Sequence, residues 1–180
     1  GTGSNTAFEK IDISASKGAA SSAVTDESSD PQDPQNPLDG VTAQIVVDKS
    51  SVAEGGQLKY TVSLVDSEGK TVSLPEGKVV TLNLDWSGAA ANDGDTAGRP
   101  ATVTLGADGT AQFSVDAKDD YLKEGSEGLV ATLTGAASNT AFESIAISES
   151  KGAASSVVTD ESTPGVEDTV LVSLSGPGSV

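Results

Sequence analysis

The side chains of this chain that could do chemistry are almost all carboxylates. It carries 27 Asp and Glu against 10 Lys and Arg, a formal charge of −17, and no His or Cys at all. Without imidazole or thiolate there is no Ser-His-Asp triad, no thiolate nucleophile and no ordinary zinc or copper site. What remains is oxygen chemistry. The carboxylates gather in three places: Asp116-Ala117-Lys118-Asp119-Asp120 with Glu124 and Glu127; Thr159-Asp160-Glu161, repeated as Thr25-Asp26-Glu27; and Asn92-Asp93-Gly94-Asp95. Calcium takes six to eight oxygens at about 2.3–2.6 Å and tolerates irregular geometry, whereas magnesium demands a stricter shell. Ca2+ is therefore the expected cofactor. The expected ligands are Asp119, Asp120, Glu124 and Glu127, together with an Asp160/Glu161 pair facing Asp168 and its repeat, Asp26 and Glu27. Glu54, in the turn Val52-Ala53-Glu54-Gly55-Gly56, is placed to reach the same end as the 119–127 loop. Asn92 to Asp95 lacks the other ligands of an EF-hand loop and is left out of this set. Asp and Gly are also ordinary turn formers, and solvated turns are the competing reading throughout.

Paired carboxylates can act as acid and base on glycosides. Here they sit on turns with no cleft evident in the sequence, so no enzyme activity is expected. The negative charge opposes nucleic acids and anionic membrane surfaces, which require clustered Lys and Arg. No apolar run approaches the roughly 20 residues of a membrane span, so direct membrane insertion is not expected.

The elements that must hold these turns read as strands. Alternation with period 2 marks Ala43, Ile45, Val47; Leu58, Tyr60, Val62, Leu64; Val80, Leu82, Leu84, Trp86; Ala101, Val103, Leu105; Ala111, Phe113, Val115; and Leu129, Ala131, Leu133. Ile145 and Ile147, with Val157 and Val158, close the series. Turn formers separate the sets, and Asp108-Gly109 reads as a hairpin turn. No stretch has helical periodicity. About seven strands with one buried face each predict an all-β, immunoglobulin-like antiparallel β-sandwich. Its core is Val, Leu, Ile and Ala, with Trp86 in strand phase.

The chain also repeats itself. Ser4 to Ser28 (SNTAFEKIDISASKGAASSAVTDES) matches Ser138 to Ser162 (SNTAFESIAISESKGAASSVVTDES) at 21 of 25 positions, at a constant offset of 134 residues. The differences are Lys10/Ser144, Asp12/Ala146, Ala15/Glu149 and Ala23/Val157. A weaker echo joins Val41–Val52 to Asp168–Val180. Identity this high in a complex sequence indicates tandem duplication. The expected organisation is a tandem repeat: residues 1–28 ending one repeat, a Pro-rich linker at 29–40, a complete module at 41–162, a short linker at 163–167, and 168–180 as the first strand of a next repeat. The expected partners are neighbouring repeats of the same chain, with strand pairing between the truncated ends of separate molecules as a further expectation.

Three motifs in this order carry a family resemblance: Ser51-Val52-Ala53-Glu54-Gly55-Gly56-Gln57, then Asp119-Asp120 with Glu124-Gly125-Ser126-Glu127 ahead of a Leu-Val-Ala-Thr-Leu-Thr strand, and finally Val158-Thr159-Asp160-Glu161. The chain resembles the extender repeats of large RTX adhesins secreted by Gram-negative type I systems, similar in style to Calx-beta and other bacterial immunoglobulin-like modules. The resemblance implies an extracellular, cell-surface chain of sandwiches stiffened by calcium at its joints, which holds distal ligand-binding domains out for adhesion and biofilm formation. The Gly-rich RTX nonapeptide is absent from this segment. The alternative is a calcium-dependent carbohydrate- or peptide-binding module.

Overall fold

The computed structural model describes Ser22 and residues 40–92, 94–163, 165 and 169–176. Apart from Ser22, the expected repeat end at 1–28 lies outside the described residues, as do all of the linker at 29–40 except Gly40 and the expected ligands Asp26, Glu27 and Asp168.

Residues 40–159 form ten strands and a single helical turn: β1 (Gly40–Val47), β2 (Ser51–Ala53), β3 (Gln57–Val65), β4 (Val80–Ser87), α1 (Ala89–Asn92), β5 (Thr96–Ala97), β6 (Thr102–Thr104), β7 (Thr110–Ala117), β8 (Ser126–Asn139), β9 (Ser144–Ile147) and β10 (Ala153–Thr159). They build two five-stranded sheets, in the orders β5-β7-β3-β1-β9 and β2-β10-β8-β4-β6. The chain is all-β, and the two sheets close over one core in the manner of an immunoglobulin-like sandwich. Seven stretches of chain make these ten strands, because the first stretch is divided into β1 and β2, the last into β9 and β10, and β5 is a two-residue addition. Each divided stretch begins in one sheet and ends in the other.

That division makes the sandwich less purely antiparallel than the alternation suggests. β1 pairs with β9 in parallel, Val41 opposite Ile145, and β10 pairs with β2 in parallel, Val158 opposite Val52. The remaining ladders are antiparallel. Because the first and last stretches run in the same direction side by side, the last one closes both sheets against the first.

The alternating residues point inward as their period requires. Ala43, Ile45, Leu58, Tyr60, Val62, Leu64, Val80, Leu82, Leu129, Ala131 and Val158 are buried in one cluster. Ala101 is an exception: it is exposed, and β6 begins only at Thr102. Trp86 packs against the core edge-on to Tyr60, with ring centroids 5.4 Å apart, and its indole N–H donates to Pro100 O at 2.8 Å. Phe113 stacks on Tyr60 at 5.3 Å and meets Trp86 edge-on at 6.2 Å, so the three rings form one cluster.

The Asp108-Gly109 turn is not the hairpin its residues suggest. It has the local chemistry of one, with Gly109 at φ 75° and Asp108 Oδ1 accepting from Thr110 N at 3.0 Å. However, β6 pairs with β4 in one sheet while β7 pairs with β3 in the other. The turn is a crossover, and it is packed against the 72–73 segment so closely that a Cβ on Gly109 would lie 1.8 Å from Val72 O. Turn chemistry specifies the local reversal and says nothing about which sheet receives the next strand.

Residues 169–176 carry no strand, and Val170, Leu171, Val172 and Leu174 are exposed. A lone β-segment without a ladder partner has nothing to satisfy its backbone.

Candidate metal centre

The carboxylates converge at the end of the sandwich where β2, β7 and β10 finish and β8 begins. Several of them are placed by backbone hydrogen bonds. Glu54 follows β2, and its N–H donates to Thr159 O at 2.9 Å, which ties it to the end of β10. The turn behind it needs glycine at both next positions. Gly55 has φ 72°, and a Cβ on Gly56 would lie 2.5 Å from Val52 Cγ2. The turn's other side is held by Ala117 N donating to Gly56 O at 2.9 Å, which brings the end of β7 alongside.

Asp95 arrives from another direction. The single turn α1 packs its Ala90 into the core, and the Thr96 hydroxyl donates to Ala90 O at 2.7 Å. Arg99 Nη1 donates to Ala91 O, which pins the same loop. Lys118 N donates to Asp95 O at 2.7 Å, so Asp95 is clamped beside the segment leaving β7.

The loop from β7 to β8 is organised by two aspartates acting as acceptors. Asp120 Oδ1 accepts from Leu122 N at 2.7 Å, an Asx-type turn within the loop. Asp160 Oδ1 accepts from Glu124 N at 3.1 Å and from Gly125 N at 2.9 Å, so the residue after β10 fastens the start of β8.

Two groups of three carboxylates result. Oxygens of Glu54, Asp119 and Glu161 all lie within 4.8 Å of one another, and so do oxygens of Asp95, Glu124 and Glu127. The fold therefore separates residues that neighbour each other in sequence. Asp119 joins Glu54 and Glu161, while Glu124 and Glu127 turn to Asp95. Among the expected ligands, Asp120 and Asp160 each have one oxygen committed to the backbone. Asp168, Asp26 and Glu27 lie outside the described residues.

Asp95 stands outside the expected set because Asn92-Asp93-Gly94-Asp95 is not followed by the remaining ligands of an EF-hand loop. Its partners come from 29 and 32 residues downstream, a separation that only tertiary pairing closes. The available signal was the cluster Asn92-Asp93-Gly94-Asp95 itself.

The electrostatics are compatible with a bound cation. Asp95 is 7% exposed, and its Oδ2 is buried with no hydrogen bond among the described residues. A buried carboxylate oxygen left in that state is costly unless something positive or hydrogen-bonding meets it. The Glu54 carboxyl is pushed up to about 7, first by loss of hydration and then by the charges of Asp160, Asp120, Glu161 and Asp119. Like charges held this close favour protonation, or a metal ion in place of the proton. All six groups offer hard oxygen, the donor set of calcium or magnesium, and loop-borne irregular placement fits calcium better.

Beside the first group lies a groove of about 370 Å³ lined by Glu54, Tyr121, Leu122, Lys123, Asp160, Glu161 and Ser162. Tyr121 and Leu122 are 66% and 54% exposed at its rim.

No family model matches this chain, and no curated protein does. Solved structures are similar in arrangement. The apo form of the Calx CBD1 domain matches with a TM-score of 0.46 at 12% identity, over 66% of this chain and 97% of that one. CBD12 from CALX1.2 matches at a TM-score of 0.47 and 15% identity, over 66% of this chain and 45% of that one. The CARDB domain of a Pyrococcus furiosus protein, solved in complex with di-metal ions, matches at 0.34 and 15%, over 67% and 89%.

Proposed function

We propose that this chain is a non-catalytic structural module of a bacterial surface adhesin, an extender stiffened by calcium at the end of its sandwich. The observation that carries the reading is the pair of three-carboxylate groups at the end from which the chain departs after β10. A cation bridging Glu54, Asp119 and Glu161 would lock the β2–β3 turn, the β7–β8 loop and the exit from β10 together. A second held by Asp95, Glu124 and Glu127 would fix the same β7–β8 loop to the α1–β5 loop. Ordering the exit restricts the swing of whatever follows, and a module that otherwise hangs on a flexible joint then projects in a defined direction. The adhesin setting, the extracellular location and neighbouring repeats as partners rest on the resemblance of the Glu54, Asp119–Glu127 and Asp160–Glu161 motifs to RTX adhesin extender repeats.

Solution scattering on a multi-repeat array tests this directly. Excess calcium is expected to give a longer maximum dimension than chelator, and equal dimensions in the two conditions would refute stiffening.

A second reading has one observation in its favour. Tyr121 is an exposed aromatic on the rim of a groove lined by the candidate ligands, the arrangement expected of a module in which calcium bridges a carbohydrate or peptide. Glycan-array binding that requires calcium and disappears in Tyr121→Ala would establish it.

A further inference from the structure

The duplicated segment acquires a structural meaning once its C-terminal copy is placed. Ser138 to Ser162 comprises the last two residues of β8, all of β9 and all of β10. This is the stretch that closes both sheets, with β9 beside β1 and β10 between β2 and β8. We propose that residues 4–28 are a second, interchangeable occupant of this position, and that one molecule donates them to the β9–β10 place of another.

The four differences between the copies all avoid the interior. Ser144, Ala146 and Glu149 are exposed and Val157 is half-buried. Every buried position is the same in the two copies: Gly152, Ala154, Ser156 and Val158 correspond to Gly18, Ala20, Ser22 and Val24. The turns are preserved as well. Asn139 Oδ1 accepts from Ala141 N and Phe142 N at 3.0 Å, and Ser148 Oγ accepts from Lys151 N at 3.1 Å; Asn5, Ala7, Phe8, Ser14 and Lys17 stand at the matching places. A Cβ at Gly152 would lie 2.5 Å from Ser148 O, and Gly18 meets the same requirement. The half-buried Ala141, Phe142, Ile145 and Ile147, which pack against the core, recur as Ala7, Phe8, Ile11 and Ile13, and the ladders of β9 and β10 are made by the backbone, which is indifferent to sequence. The two copies therefore present the same buried side chains to this position and differ at only one half-buried one, Val157 against Ala23.

Chain length selects the donor. In the exchanged position Thr25 would stand where Thr159 stands, opposite Ala53, and the chain must then return to Gly40 at the other end of β1. That return has 15 residues, about 46 Å if extended at ~3.1 Å each. The path along β1 and β2 from Ala53 to Gly40 is 13 residues, about 43 Å at ~3.3 Å each. That path is an upper bound on the span, so a single chain has little slack to close the loop, whereas a second molecule faces no such constraint. Exchange replaces contacts like for like, so it is slow and concentration-dependent, and it yields head-to-tail assemblies.

The test breaks one copy at a time in the full chain. Ala154→Asp with Val158→Asp removes the C-terminal occupant, and Ala20→Asp with Val24→Asp removes the other. The first double variant is expected to keep a cooperative thermal transition and to sediment as oligomers at high concentration; the quadruple variant should lose the transition. Equal loss of folding in both, or a folded monomer from the first, would overturn exchange between molecules. A labelled peptide of residues 4–28, mixed with the unaltered chain and slowly heated and cooled, provides an independent reading. Its uptake, abolished by Ala20→Asp with Val24→Asp in the peptide, supports the proposal, and no uptake overturns it.

Discussion

Glu54 illustrates how one side chain can report on a whole site. Its carboxyl, raised from 4.5 to about 7, binds a proton more tightly folded than unfolded. The stability it confers is complete below pH 4.5 and is lost as pH rises through about 7. Metal-free protein should therefore lose melting temperature over that window, and Glu54→Gln should flatten the loss; thermal unfolding in chelator at a series of pH values checks both. Calcium held by Glu54, as proposed, would displace the proton, so its affinity should rise over the same window in the unaltered protein and its binding should release acid, measurable by calorimetry in buffers of different ionisation enthalpy. Asp160 has a different task, because its Oδ1 holds the amides of Glu124 and Gly125 without any ion. Asp160→Ala is expected to cost about 1–2 kcal/mol in chelator, read from urea unfolding, whereas a residue acting only as a metal ligand would show no loss there.

At the scale of elements, what matters is how closely the strands approach. Gly88 links β4 to α1 at φ 104°, and a Cβ there would lie 2.1 Å from Gly128 O on β8. Gly88→Ala should cost about 2 kcal/mol or more, and it should also loosen the loop that carries Asp95, so stability and calcium affinity fall together. Chemical denaturation and calcium titration of the same variant check the pairing. β10 offers a contrast: Val158 is buried between β8 and β2, and Val158→Ala removes apolar contact without touching a carboxylate. A loss of about 1–3 kcal/mol with calcium affinity nearly unchanged is the expected result. Alternation revealed these strands because a half-buried strand must alternate. It concealed the division of the first and last stretches between sheets, since Val41, Ala43, Ile45 and Val52 face one core whichever sheet they belong to.

For the whole molecule, an ion that binds only the folded form adds stability by mass action, about 2.7 kcal/mol at a hundred times its dissociation constant. On the proposed reading, calcium would make this addition to a sandwich that has no disulfide and a core built mainly of aliphatic side chains. Melting temperature should climb with calcium concentration without a plateau well beyond saturation, and Asp95→Asn should lower the climb; differential scanning calorimetry is the measurement. The residues read from the sequence alone gave the all-β class, the duplicated segment and the carboxylate-only chemistry, because period, identity and composition are properties of the chain taken in order. Which carboxylates share a site was decided by the fold. Asp119 and Glu124 lie on one loop yet serve different groups, and Asp95 meets Glu127 across 32 positions, because strands that exit at one end of a sandwich bring together side chains that sequence distance keeps apart.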